Sequence, residues 1–202
     1  MTQLRVLPYG PHAALIECAS GSAVQLGQAL AGLGRFIEIV PAEQSVLVIM
    51  PHGMVLEDVR SVVHSLPEVL PMVAGRDIEI PVVYNGADLE VVAQATGLTV
   101  AEVIGLHSQA SYLAAFAGFA PGYVYCTGLP HELWLPRRPT PRTSVPAGSV
   151  AIADAYTAVY PTSSPGGWHL IGSTDLTLFD LRRPEPSLIQ PGDRVRFTVR
   201  TS

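Results

Sequence analysis

His107 is the first residue whose type and setting could do chemistry. In "TVAEVIGLHS" the apolar residues Val100, Val103 and Ile104 mark one face of a helix, and His107 continues that face two turns on from Val100. An imidazole held at a cleft titrates near neutral pH and can move or orient a proton. The plainer alternative is a core histidine bonded to backbone or to a neighbour. No other histidine stands at metal-ligand spacing from it, so no zinc site is expected. The second candidate group is "LPRRPTPRTSVPAGSVAIA", where Arg137, Arg138 and Arg142 sit among Pro136, Pro139, Pro141 and Pro146. Proline fixes φ and lowers the entropy lost on ordering. A guanidinium fork held still in this way suits a carboxylate or phosphate, with Arg142 the first candidate and Arg138 the second. The alternative is a stiff surface loop whose arginines pair with local acids.

Two further stretches could build a pocket. "GFAPGYVYCTGLP", from Gly118 to Pro130, is aromatic, uncharged and broken by glycine and proline. It is too apolar for an ordinary loop and too broken for a helix or a long strand. Phe119 and Tyr123 could exclude water from a ligand, and Gly122 could let backbone amides approach it, at the mouth of a barrel. The alternative is that the bend only closes a core. In "YPTSSPGGWHLIG", Gly167 allows close backbone approach and Trp168 is either a core anchor or a pocket floor. Ser163 and Ser164 lack the surroundings of a serine nucleophile elbow. Cys126 has no cationic neighbour in sequence to activate it and reads as a buried, inert thiol.

Composition removes several function classes. All twelve basic residues are arginine. A chain without lysine cannot carry a Walker-type phosphate lysine, a Schiff base or a biotinyl lysine. Any ATP or biotin chemistry would come from a partner. The net charge of -5 argues against nucleic-acid binding. Two distant cysteines, Cys18 and Cys126, and an N-terminus without a signal-peptide pattern point to a reducing cytoplasm. No residue from Val103 to His131 is formally charged, but Gly118, Pro121 and Gly122 interrupt that run, so no membrane span is expected.

The elements that must position these residues fall into two domains. "LRVLPYG" and "AALIEC" read as strands. A helix from about Ser22 follows, with Leu26, Leu30 and Leu33 on one face and Gly34 as its stop. "FIEIV" and "SVLVIM" are two more strands, and Val55, Val59, Val62, Val63 and Leu66 form the stripe of a second helix. This predicts an α+β domain over residues 1–76, closed by the linker "LPEVLPMVAGRD" with its boundary near Gly75–Arg76. The second domain, 77–202, opens with the strand "IEIPVVYNG". Two short helices follow, the second capped by Thr99 and Glu102. Eleven of the eighteen prolines lie beyond residue 120, where "SVAIA", "AVY", "WHLIG", "TLFDL" and "DRVRFTVR" read as short strands between turns. That spacing predicts a compact β barrel or sandwich.

The order of the segments carries more than any one of them. "IEIPVVYNGADLE", "VIGLHSQASYL", "GFAPGYVYCTGLP", "PRRPTPRTSVPAGSVAIA" and "YPTSSPGGWHLIGST" together resemble the family of 5-oxoprolinase B subunits, also called the KipI or allophanate hydrolase subunit 1 family. The resemblance is dense from Ile78 to Asp180 and looser before that, and it places His107 at the family's histidine position. It implies an α+β N-terminal domain followed by a cyclophilin-like β barrel. It also implies partners, the carboxyltransferase-like C subunit of the KipA family and the A subunit. Together they would form an ATP-dependent complex that opens 5-oxoproline or another small amide, with no activity in this chain alone. Tyr123, Cys126 and Ser173 depart from residues common among relatives, and Ser173 removes a cation near the Gly-Gly-Trp turn. A different role known in the family is the inhibition of a sensor histidine kinase by binding alone. A prolyl isomerase is disfavoured, because fold alone does not carry function.

Overall fold

The computed structural model describes residues 4–19, 21–67, 70 and 75–201. Half of the expected linker, residues 68, 69 and 71–74, lies outside the described residues. The chain divides into two compact units, Met1–Ala74 and Gly75–Ser202.

In the first unit, β1 (Arg5–Pro8), β2 (Ala13–Glu17), β3 (Glu38–Pro41) and β4 (Ser45–Ile49) form an antiparallel sheet of order β1-β2-β4-β3. Helices α1 (Ala23–Gly32) and α2 (Leu56–Ser65) follow β2 and β4 in the chain. Alternate residues Ala14, Ile16, Val46 and Val48 are buried against Leu26, Leu30, Val59, Val62 and Val63 of the helices. That is the period of two in the strands meeting the period of 3.6 in the helices. Two stripe residues fall outside this core. Leu33 is the C-cap of α1 and Val55 the N-cap of α2, and both are exposed because the helix face ends one residue short of each.

The second unit begins with β5 (Asp77–Val82), α3 (Leu89–Thr96) and α4 (Val100–Gln109). The expected capping box is present on α4: Thr99 Oγ1 accepts from the Glu102 amide, and Glu102 Oε2 accepts from the Thr99 amide at 2.8 Å. Gly97 ends α3 at φ 73°. Then come β6 (Tyr112–Ala117), β7 (Val124–Thr127), β8 (Arg142–Val145), β9 (Ser149–Ala153), β10 (Tyr156–Val159), β11 (Ser164–Gly166), β12 (His169–Ser173) and β13 (Arg194–Val199). The apolar bend is therefore the turn and second strand of a hairpin, with β6 as the first strand. "TLFDL" is not a strand: Leu178 is buried and Phe179 makes a single bridge to Ser187. β8 and β11 form a separate two-stranded ribbon.

Seven strands form one sheet of order β12-β9-β10-β7-β6-β13-β5, antiparallel except for the parallel pair β13–β5. This sheet curls into a nearly closed barrel. The seam between its end strands is a bridge of two hydrogen bonds, Val83 amide to Ser173 carbonyl at 2.9 Å and Ser173 amide to Val83 carbonyl at 2.8 Å. Closure needs backbones to cross closely. A Cβ on Gly172 would lie 2.6 Å from Val82 Cγ1 and 2.8 Å from Val83 O, and one on Gly86 would collide with the backbone of Leu170 and Ile171. Among the described residues no single helix is long and apolar enough to cross a membrane. The α3–α4 pair passes by length and composition only as two pieces bent by 96°.

Gly86→Ala is expected to lower stability by about 2–3 kcal/mol, because the added methyl has only backbone to push against. Urea denaturation with an unchanged m-value checks this; an unaltered midpoint would show that the seam is not tightly packed.

Candidate functional site

Asp88 anchors the candidate site. It stands just before α3 and is only 2% exposed, yet its side chain does not cap the helix. Its Oδ1 accepts from Arg138 Nη1 and from Arg142 Nη2, each at 2.7 Å, and its Oδ2 accepts from the Leu170 amide at 2.7 Å. Burial works against the charged carboxylate. The hydrogen bonds from Arg142 and Leu170 and the charges of Arg142 and Arg138 outweigh it, and hold the Asp88 carboxyl below its ordinary range. Arg138 and Arg142 thus have an internal partner. Each keeps one buried guanidinium nitrogen without a hydrogen bond, Arg138 Nε and Arg142 Nη1.

The same loop is tied to the Gly-Gly-Trp turn. The Arg138 amide donates to Gly167 O at 2.7 Å, Arg142 pairs with Gly166 across the β8–β11 ribbon, and His169 Nε2 bonds Pro136 O at 2.9 Å. A Cβ on Gly166 would collide with the Tyr160 phenol, so the turn packs directly on that ring.

Trp168 and Tyr123 join Tyr160 in a cluster with Ala151, Ala153, Ala158 and Leu170. Ring centroids lie 5.3 Å apart for Tyr123–Tyr160, 6.0 Å for Tyr123–Trp168 and 5.6 Å for Tyr125–Trp168, all edge-to-face, and Phe116 stacks on Tyr125 at 4.4 Å. Burial and the neighbouring tyrosines push the Tyr123 phenol up, so it stays a neutral hydroxyl. Phe119 lies 5.2 Å from Tyr123 but is 63% exposed. It also has φ 70°, a left-handed backbone that costs a non-glycine residue about 1–2 kcal/mol. Gly122 takes φ 79°, and a side chain there would press on Phe179.

His107 is elsewhere. It is fully buried in contact with the barrel core, with its ring 4.6 Å from Phe197 and 5.4 Å from Tyr112. Nδ1 lies 2.8 Å from Tyr84 Oη and Nε2 lies 2.9 Å from Thr157 Oγ1. The Thr157 hydroxyl gives its one hydrogen to Ala151 O at 3.1 Å, so toward His107 it accepts. The tautomer follows: Nε2 carries the hydrogen, and the Tyr84 hydroxyl donates to Nδ1. Burial pulls the imidazole down to about 3, so it is neutral at pH 7. Both ring nitrogens are engaged and no face is open. This is the geometry of a core histidine, the plainer of the two readings that the sequence leaves open.

Strand alternation explains the separation. In β9, Val150 and Ile152 join the barrel core while Ala151 and Ala153 join the aromatic cluster; in β7, Val124 and Cys126 face the core while Tyr125 joins the cluster. Thr157, which holds His107, and its neighbours Tyr156 and Ala158 divide in the same way. Phe119, Gly122, Tyr123, Gly167, Trp168, Arg138 and Arg142 are gathered in one region, and His107 is on the other side of the sheet. The bend accordingly contributes to both faces: Tyr123 and Tyr125 pack in the aromatic cluster, and Val124, Cys126 and Leu129 pack in the barrel core. Cys126 is in the core, with burial pushing its thiol up to about 12. Among the described residues no three His, Cys, Asp or Glu side chains come together as a metal-ion cluster. Sequence reasoning missed Asp88, because "NGADLE" looks like an ordinary helix start. The excess of arginine over acid in the proline-framed loop was the available signal that a buried acid elsewhere must answer it.

The family model for the carboxyltransferase domain, subdomains C and D, matches residues 4–189. The chain is 44% identical over 179 residues to the B subunit of 5-oxoprolinase from Escherichia coli O157:H7, covering 86% of this chain and 82% of that one. It is 40% identical over 180 residues to the 5-oxoprolinase B subunit of Bacillus subtilis (strain 168), covering 80% and 75%. The chain belongs to the family of 5-oxoprolinase B subunits. Among solved structures, TTHA0988 superposes with a TM-score of 0.81 at 32% identity, covering 95% of this chain; this chain spans 40% of that longer one. Urea amidolyase of K. lactis shares the fold at a TM-score of 0.71 and 16% identity, covering 98% of this chain and 15% of that one.

The buried imidazole makes stability pH-dependent with a definite sign. Its folded pKa lies below its ordinary value of 6.5, so the unfolded chain binds the extra proton. Its contribution is complete above about pH 6.5 and falls by about 1.4 kcal/mol per pH unit below that. Asp88, also depressed, adds a further loss only as pH falls through the carboxylate range. Urea unfolding between pH 7.5 and 4.5 should show this slope, and His107→Gln should remove it. An unchanged slope in the variant would mean that another group carries it.

Proposed function

We propose that this chain is a non-autonomous component of an ATP-dependent 5-oxoprolinase complex, acting with the C and A subunits to open the ring amide of 5-oxoproline to glutamate. The observation that carries this reading is the family match together with 40–51% identity to relatives named as 5-oxoprolinase B subunits. The composition supports the division of labour. A lysine-free chain leaves the phosphates of ATP to a partner.

The chain's own contribution is a rigid wall beside the reacting amide. Phe119 and the tyrosine–tryptophan cluster exclude water, and the clamp on Asp88 fixes the loop that carries the arginines. His107 acts at a distance in this scheme, by holding Tyr84 and Thr157 and so the shape of the barrel. The working conformation of Phe119 is strained, and strain retained at an exposed aromatic is the signature of a residue kept for contact rather than for stability.

Co-expression with the partner proteins, followed by a 5-oxoproline-to-glutamate assay with each component omitted in turn, tests the reading. Activity is expected only with all components present; ATP-dependent turnover by this chain alone, or by the others without it, would overturn it. Phe119→Gly separates contact from stability. It should leave stability unchanged or raise it by up to about 1 kcal/mol. It should also lower kcat/KM of the complex by roughly tenfold, the equivalent of about 1.4 kcal/mol of lost contact. Equal activity in the variant would remove Phe119 from the site.

A further inference from the structure

We infer that Arg137, rather than Arg138 or Arg142, is the group that receives a small planar carboxylate at the aromatic cluster. This rests on the function proposed above only for the identity of the carboxylate, which would be that of 5-oxoproline.

The argument begins with commitment. Arg138 and Arg142 both bond Asp88 at 2.7 Å and are mostly buried. Drawing either away would leave the buried Asp88 carboxylate short of a partner. Arg137 has no such tie. Its side chain is 61% exposed, and its ion partner, Asp154, is itself exposed and 3.9 Å away. A pair of that kind is weak and yields readily to a better-placed anion.

Its backbone, by contrast, is fixed from both sides. The preceding carbonyl, Pro136 O, is bonded by His169 Nε2, and the following amide, Arg138 N, donates to Gly167 O. The Arg138 side chain is clamped in turn by Asp88. Arg137 is thus a loosely held guanidinium on an immobile stem. That is the preorganisation that a charge-assisted, bidentate contact to a carboxylate requires.

The surroundings specify the rest of the ligand. The Arg137 guanidinium carbon lies 6.0 Å from the centroid of Trp168, and its positive charge reaches both the Tyr123 and the Tyr160 phenols. Phe119, exposed and strained, touches the same two tyrosines, at 5.2 and 6.5 Å between centroids. A cation over an uncharged aromatic floor, with one protruding ring, fits a flat, compact body bearing one carboxylate. A phosphate ester would find one guanidinium where it needs several donors.

The experiment uses the assembled complex and two probes, 5-oxoproline and 2-pyrrolidinone, the same lactam without its carboxylate. Binding is followed by saturation-transfer NMR, and turnover is measured in parallel. Arg137→Gln should weaken 5-oxoproline binding by about ten- to a hundredfold and leave 2-pyrrolidinone unchanged. Arg137→Lys should recover part of the loss, since it restores the charge but not the fork. No binding of 5-oxoproline to the wild-type complex, equal losses for both probes, or no loss for either would overturn the inference. So would dissociation of the Arg137→Gln complex with ligand affinity intact, which would make Arg137 an interface residue. Carboxylate binding that depends on Arg137 in a complex without turnover would sink the proposed reaction and leave this assignment standing.

Discussion

One buried carboxylate organises the functional half of this protein. Asp88 ties together three segments distant in sequence: the start of α3, the arginine loop and the first residues of β12. Each bond is charge-assisted, and the site is removed from water. The three segments therefore rise or fall together. Removing one partner would cost about 3–5 kcal/mol, because the remaining charges would stay buried and unanswered. With the clamp in place, the Gly-Gly-Trp turn has a fixed edge to bond, and Trp168 and Tyr160 can close over the outer face of the sheet.

The sheet then serves two purposes at once. Its inner face packs the barrel core, and a polar chain from Tyr84 through His107 and Thr157 to Ala151 O runs beside it, with every hydrogen placed. Its outer face, over β7, β9 and β10, carries the aromatic cluster. The small residues Ala151, Ala153 and Ala158 make this possible, since they leave room for three large rings above them. The two faces communicate through adjacent residues: Ala151 gives its carbonyl to the inner chain and its methyl to the outer cluster.

Much of the fold was legible in the sequence, for reasons that are local. Both helices of the first unit, the Thr99–Glu102 cap and the alternation of Val195 and Phe197 in β13 follow from periodicity and from short-range hydrogen bonding. The hairpin of β6 and β7 was not legible, because its strands are partnered by residues far along the chain and its own glycines and prolines mask the pattern. The site was half legible. The aromatic bend, Gly167, Trp168 and the arginine loop stand out in the sequence and do come together. Which arginine is uncommitted could not be read, because the answer depends on Asp88, fifty residues before Arg138 in the chain. The sequence left His107 open between core and cleft, because a stripe position predicts burial but not what lies opposite.

The seam of the barrel has a mechanical meaning. Strands β13 and β5 are held along six residue pairs and β9 and β10 along four, but Val83 and Ser173 are joined by two backbone bonds with Gly172 between crossing chains. Glycine brings no side chain to interlock. A cylinder joined along one line by only two bonds is compliant in torsion there, because shear gathers where the bonding is thin. Twisting of this barrel would be taken up between β5 and β12, a few residues from Asp88. The clamp beside the seam works as a rivet placed where an otherwise rigid shell would begin to unroll.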